Sequence, residues 1–140
     1  MIRTLITLAA GIGVGAGAMN AAHHDDGEKV REISVTDIKE KLDGKDARAT
    51  VVEVTIEPGQ SGVPHRHPGP TFVYVLEGAW ETGIDDLPTK VLKAGDTFHE
   101  PGGCLHRVSK NPGKVKTRLI AVVLHPRDAK KVAVPESRKD

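Results

Sequence analysis

Cysteine, aromatic residues and an excess of one charge are all scarce in this chain of 140 residues. Cys104 is the only cysteine, which excludes an intrachain disulfide and a cysteine-rich zinc site. Lys and Arg number 20 against 19 Asp and Glu, so a net charge of +1 gives no basic field for nucleic acid. Aromatic residues make up 3% of the chain, too few for a platform on which bases could stack. The length allows one domain with a single core.

Long apolar runs are also absent, since the uncharged stretch from Thr4 to Met19 falls short of the ~20 apolar residues that span a bilayer. The charge at Arg3, this stretch and the small residues 16–18 (Ala-Gly-Ala) predict a secretory signal over residues 1–22, cleaved near 18–22. An uncleaved anchor is the alternative, because glycines recur there at small-xxx-small spacing. We expect a periplasmic or secreted bacterial protein, without stable membrane association after cleavage.

The segments on either side of the predicted domain are polar. Residues 23–32 predict a flexible leader, and the charged residues 127–140 predict a solvated tail in which Val132 to Val134 could add an edge strand in a dimer. Residues 33–44 fit either a short strand or one helical turn capped by Thr36.

From Ala49 onward the pattern is typical of β-structure. Val52, Val54 and Ile56 alternate with polar residues before a Pro-Gly turn, and further short segments follow between Gly, Pro, Asp and Asn. This pattern predicts an all-β fold, a single small antiparallel β-barrel over residues 33–126.

Two histidines lie one residue apart within this pattern. In a strand His65 and His67 point to the same side, and His106, on a later strand, could supply a third imidazole. Imidazole ligands favour iron, copper, nickel or zinc over magnesium or calcium. Surface histidines, or histidines hydrogen-bonded in the core, are the alternative that the spacing alone leaves open.

Residues 59–78 and 95–111 resemble the first and second motifs of the cupin superfamily. The matched positions are Gly59, His65, His67 and Gly78 in the first motif, and Gly95, Pro101, Gly103 and His106 in the second. Lys110 stands where the second motif usually has asparagine, and Asn111 follows one residue later. The resemblance implies a small single-domain cupin, a jelly-roll barrel that is often dimeric.

The same resemblance implies one divalent transition metal per chain, with His65, His67 and His106 as ligands. Fe(II) is favoured, and Mn, Ni, Cu or Zn are alternatives. Thr71 occupies the position of the motif's glutamate, so no fourth ligand is implied there. A neutral hydroxyl is a poor ligand, and we expect Thr71 to orient a water or substrate from outside the ligand set.

Other polar residues near the motifs are weaker candidates. Gln60 and His99 could each act as a direct ligand. Glu77 and Glu100 are expected to face solvent. Cys104 shares the parity of His106 and could approach the metal, although a lone cysteine is commonly inert packing.

Alternation along residues 71–77 also predicts an outer surface. If Thr71 faces inward, Val73 and Val75 line the cavity, and the apolar residues 72, 74 and 76 face the other way. A homodimer covering this face is expected, with a second core layer as the alternative.

Three ligands on one face leave metal positions open for a bidentate substrate and dioxygen. This predicts an oxidoreductase, in particular an iron dioxygenase of a small enolisable, catecholic or thiol substrate. The catalytic residues are not specified, since no second acid, base or nucleophile accompanies the ligands within the two motifs. A non-catalytic cupin that binds a metal or small ligand, as a sensor or scavenger, is the alternative, and a metal-dependent isomerase or lyase is a third.

Overall fold

A computed structural model describes residues 21–23 and 27–137 of the chain. These residues form eleven strands and no helix. They therefore contain no helix that is long and apolar enough to cross a membrane. The strands are β1 (Ala21–His23), β2 (Glu28–Leu42), β3 (Lys45–Ile56), β4 (His65–Arg66), β5 (Thr71–Glu77), β6 (Ala79–Ile84), β7 (Lys90–Lys93), β8 (Thr97–Glu100), β9 (Leu105–Lys110), β10 (Thr117–Pro126) and β11 (Val134–Pro135). The predicted signal lies almost wholly in residues 1–20, outside the described part.

The strands form two antiparallel sheets. The larger sheet has the order β1-β2-β3-β10-β5-β8, and the smaller has the order β11-β4-β9-β6-β7. Strands that are distant in sequence lie side by side, as β3 and β10 do over ten residue pairs. The predicted all-β barrel of the jelly-roll type is confirmed.

Strict alternation builds much of the core from two neighbouring strands of the larger sheet, β5 and β10. Inward residues of β5 and β10 are buried, while the intervening residues are partly or fully exposed. The buried apolar cluster comprises Val52, Ile56, Val73, Val75, Trp80, Leu119 and Ala121. Val73 and Val75 are therefore inward, as the parity of Thr71 predicted.

The first long strand begins earlier than the sequence pattern indicated. Residues 28–32, assigned to the flexible leader, belong to β2, and residues 33–42 continue the strand instead of forming a helical turn. The segment 28–32 has one apolar residue, Val30, so hydrophobic alternation could not reveal it. Its pairing depends on distant groups: Glu28 bonds to Ser109, and Arg31 pairs with Glu53.

The tail also differs from the solvated extension that its charge suggested. Val134 and Pro135 form β11, which pairs with β4 of the same chain. The Arg66 guanidinium contacts the Glu136 carboxylate at 3.0 Å, which fixes the end of this segment beside β4.

Candidate metal centre

The three predicted histidines converge at one end of the barrel. His65 on β4 lies opposite His106 on β9 in the strand register, and His67 follows two residues after His65. The Nε2 atoms of His65 and His67 are 3.1 Å apart. The ring centroids of His65 and His106 are 4.9 Å apart. The structure thus brings together imidazoles from two separate segments of the chain.

Glu100, expected at the surface, completes the cluster. It ends β8, is 2% exposed, and places Oε2 at 3.4 Å from His106 Nδ1 and 3.6 Å from His67 Nε2. The four donor atoms all lie within 4.8 Å of one another. Alternation along β8 could have identified Glu100, because it shares its parity with Phe98, which packs against the core.

The carboxylate lies directly across a strand pair from its expected position. Thr71 on β5 is the register partner of Glu100 on β8. Side chains directly opposite in an antiparallel pair have Cβ atoms about 4.5–5.5 Å apart. A glutamate at position 100 can therefore reach the point that a glutamate at position 71 would reach.

In each imidazole, the ring nitrogen that points away from the cluster contacts an oxygen atom. His65 Nδ1 donates to the carbonyl of Val63 at 2.9 Å, and His67 Nδ1 donates to the carbonyl of Val132. Because carbonyls only accept, these contacts assign the proton to Nδ1 in both rings and direct the Nε2 lone pairs into the cluster. Such outer contacts orient metal-binding histidines in proteins generally.

His106 faces the cluster with its other ring nitrogen, Nδ1. Its Nε2 lies 3.0 Å from Thr82 Oγ1, and when it donates there, Nδ1 presents a lone pair towards Glu100. The edge of the His106 ring also packs on Trp80, with centroids 5.6 Å apart.

Buried polar atoms in the cluster are suited to a cation. Among the described residues, Glu100 Oε2, His106 Nδ1 and Thr71 Oγ1 are buried without a hydrogen-bond partner. Burial, and secondarily the charge of Glu28, raises the pKa of Glu100 to about 8. Burial, and secondarily His65 and His67, lowers the pKa of His106 to about 3. The 3.4 Å contact between them is therefore not an ion pair at neutral pH, and a divalent ion would stabilise the carboxylate that burial disfavours.

The cluster lines a cavity of about 120 Å³ with largely apolar walls. Val52, Val73, Leu119 and Ala121 contribute to these walls, and Val132 and Ala133 of the tail line the cavity as well. Thr71 is fully buried and also lines the cavity.

The weaker candidates lie elsewhere. Gln60 is exposed in the turn after β3, and His99 is exposed and stacks on Phe72 with centroids 4.9 Å apart. Neither side chain joins the four-residue cluster. Cys104 is partly buried, and this burial raises the pKa of its thiol.

A β-bulge explains why the asparagine of the second motif stands at position 111 instead of position 110. In the pairing of β6 with β9, Gly83 opposes Val108 and Ile84 opposes His106, so Arg107 is the extra residue. The bulge shifts the alternation of inward and outward side chains by one residue, so Asn111 is buried instead of Lys110. Asn111 Nδ2 donates to the carbonyls of residues 56 and 115 at 2.9 and 2.8 Å, and Oδ1 accepts from the amide of residue 113.

Comparisons with known proteins agree with the fold of the chain. The cupin domain family model matches residues 52–123. Germin-like protein subfamily 2 member 2 of Arabidopsis thaliana is 38% identical over 88 residues, which cover 59% of this chain and 40% of the germin-like protein. The chain thus spans well under half the length of that curated relative.

Solved structures share the fold. An RmlC-like cupin from Shewanella frigidimarina has a TM-score of 0.57 at 21% identity, with 79% of this chain and 87% of that chain covered. An oxalate oxidase in complex with the substrate analogue glycolate has a TM-score of 0.57 at 25% identity, with 78% of this chain and 57% of that chain covered.

Proposed function

Because the chain belongs to the cupin domain family, we propose that it is a metal-dependent oxidoreductase whose single metal ion is held by three histidines and Glu100. The observation that carries this proposal is the convergence of four donor atoms, all within 4.8 Å of one another, in a buried cavity. The contacts of His65 Nδ1 and His67 Nδ1 with backbone carbonyls support it, since they orient the Nε2 atoms of both rings towards the cluster.

Three imidazole nitrogens and one carboxylate oxygen suit a divalent transition metal, and we favour Fe(II), with Mn(II) next because a carboxylate is among the ligands. Bound there, the ion would polarise a chelating substrate as a Lewis acid and provide redox chemistry with dioxygen. Glu100 offsets one of the ion's two charges, so the centre attracts an anion less strongly than three neutral imidazoles would. Thr71 lines the same cavity, and its hydroxyl, which is buried without a hydrogen-bond partner among the described residues, would orient the substrate.

The size of the cavity limits the substrate. At about 120 Å³ it is smaller than the ~150 Å³ engineered cavity that holds benzene. A cavity of this size favours small acids and small enolisable carbonyl compounds over larger substrates. The oxalate oxidase that shares the fold was solved with glycolate, a molecule of this size class.

Metal content is the first measurement, followed by oxygen uptake. Protein as isolated is expected to contain about one transition metal ion per chain by elemental analysis. Fe(II)-loaded protein is then mixed with a panel of small hydroxy acids, oxo acids, β-diketones and thiols while dissolved oxygen is recorded. His106→Ala should lose both the metal and the uptake, and Glu77→Gln, which changes a partly exposed carboxylate of β5, should retain both.

A protein that binds metal stoichiometrically but consumes no oxygen across the panel would contradict the oxidoreductase proposal. Tight ligand binding without turnover would then favour the sensor or scavenger, and conversion of substrate without oxygen would favour an isomerase or lyase. Export, expected from residues 1–22, is also part of the proposal, and fractionation of expressing cells with mass measurement of the mature chain tests it.

A further inference from the structure

A second carboxyl group, that of Glu28, enters the cavity from β2 and lies outside both motifs. Glu28 is 8% exposed and lines the same cavity as the metal centre. Ser109 Oγ donates a hydrogen bond to Glu28 Oε1 and accepts one from Trp80 Nε1 at 2.9 Å. These two bonds hold the carboxyl group in one orientation.

Gly62 provides the space that this carboxyl group occupies. A Cβ atom at position 62 would lie 2.3 Å from Glu28 Cδ and 2.4 Å from Oε2. The backbone at Gly62 is not left-handed, so the conformation itself does not require glycine. The glycine is needed because the carboxyl group packs directly against the backbone.

No basic side chain lines the cavity within the described part of the chain. Its ionisable lining residues are the four members of the metal cluster, Glu28, and Glu32 on the same face of β2 nearer the exposed end. A divalent ion together with Glu100 leaves one positive charge, which a monoanion neutralises. The second carboxylate of a dianion would meet Glu28 without a lysine or arginine to pair with.

We propose that Glu28 is a specificity-determining residue, which selects small hydroxy acids carrying one negative charge and disfavours dicarboxylates. The Glu28 carboxylate accepts a hydrogen bond from the ligand's hydroxyl group and repels a second carboxylate. The inference rests on the proposed metal centre and narrows its substrate class.

The ionisation of Glu28 agrees with this role. Burial raises its pKa to about 6, and the hydrogen bond from Ser109 opposes the rise. At pH 7.5 the carboxyl group is therefore still largely charged, so it can accept a hydrogen bond and repel an anion. A nearby divalent ion would favour the charged form further.

The test compares glycolate with oxalate on protein loaded with Mn(II) at pH 7.5. Dissociation constants come from titration calorimetry and from the fluorescence of Trp80, the only tryptophan, which is linked to Glu28 through Ser109. Glu28→Gln keeps the shape and hydrogen bonding of the side chain and removes its charge. We expect the affinity for oxalate relative to glycolate to rise at least about tenfold in this variant.

Glu53→Gln is the matched control. Glu53 is also 8% exposed, but it pairs with Arg31 and Arg118 and does not line the cavity. Its replacement should leave the oxalate-to-glycolate ratio unchanged. Should Glu28→Gln fail to fold, Gly62→Ala serves instead, because the added Cβ displaces the carboxyl group, and the same change in ratio is expected.

Two results would overturn the inference in different ways. An unchanged ratio in Glu28→Gln or Gly62→Ala, with Mn(II) bound normally, overturns the role of Glu28 and leaves the metal centre standing. Wild-type protein that takes up no divalent ion overturns the proposed function and this inference together.

Discussion

At the scale of single residues, the carboxylate of the candidate metal centre belongs to Glu100 on β8. In the family motif the glutamate stands at the position of Thr71, on the neighbouring strand β5. Thr71 and Glu100 are register partners, and both are buried at the same site. We therefore expect Glu100→Gln to weaken metal binding by at least about 100-fold. The exchange of the two residues, Thr71→Glu with Glu100→Thr, should restore the affinity to within about tenfold of wild type, because facing side chains reach the same point.

Competition with a chromophoric chelator measures both variants, and Glu77→Gln is the control on the same strand as Thr71. Wild-type affinity in Glu100→Gln would exclude this carboxylate as a ligand. A double variant no better than Glu100→Gln would show that the two positions are not interchangeable.

Glu28 provides a prediction about pH. Its pKa in the folded chain, about 6, lies above the ordinary value of 4.5, since burial disfavours the charged carboxylate and the hydrogen bond from Ser109 only partly opposes this effect. The folded chain thus holds this proton more tightly, so the associated stability is present below pH 4.5 and is lost as pH rises through 6. The loss amounts to about 2 kcal/mol.

Glu28→Gln removes the group that titrates. Relative to wild type, the variant should therefore gain about 2 kcal/mol in unfolding free energy between pH 4 and pH 7.5. Urea unfolding in a chelator, followed by Trp80 fluorescence, measures the difference. Parallel pH profiles of the two proteins would mean that the carboxyl group is not perturbed by folding.

Local patterns account for part of the site. The shared side of His65 and His67, and the inward position of Thr71, follow from strand parity alone. The same parity argument applied to β8 places Glu100 inward with Phe98, so the expectation that Glu100 faces solvent was wrong. Glu28 was beyond such reasoning, because its burial depends on Ser109, 81 positions away.

At the scale of secondary-structure elements, a C-terminal strap, residues 129–137, closes over the metal centre. Its Val132 carbonyl accepts the hydrogen bond of His67 Nδ1, β11 pairs with β4, and the Glu136 amide donates to the Pro64 carbonyl at 2.8 Å. The charge of this segment suggested a solvated tail. The sequence could not reveal the contact with His67, because a backbone carbonyl leaves no trace in side-chain patterns.

A chain ending at Asp128 should keep its fold, because the buried apolar cluster lies entirely between residues 52 and 121. It should bind metal about 10- to 100-fold more weakly, since His67 loses the contact that orients it. Circular dichroism and chelator competition measure the two effects. Glu136→Gln is the control: it breaks a half-exposed ion pair worth at most about 1 kcal/mol and leaves the strap in place. If the truncated chain bound metal with wild-type affinity, the strap would have no role in metal binding.

At the scale of the whole molecule, the outer face of the larger sheet carries an apolar surface. Phe72, Tyr74 and Leu76 on β5 are 49%, 45% and 39% exposed, and residues 120 and 122 of β10 extend this surface. Apolar patches of this kind on a sheet commonly mark contacts between proteins. The rim carries both signs of charge, with Arg118 and Glu77 in contact at 3.7 Å, so two copies related by a twofold axis could pair oppositely charged residues.

The occupant expected on this face is therefore a second copy of the chain. Light scattering on a sizing column should give twice the monomer mass for wild type, and Tyr74→Asp should shift the protein to the monomer because an unpaired charge would be buried at the contact. Leu87→Asp alters a side chain that is 58% exposed in the turn after β6, outside the two strands that form this face, and should remain dimeric. Both variants should keep wild-type metal content, because Tyr74 points away from the cavity. A wild-type monomer at tens of micromolar would mean that the face is covered by a different partner or remains in solvent.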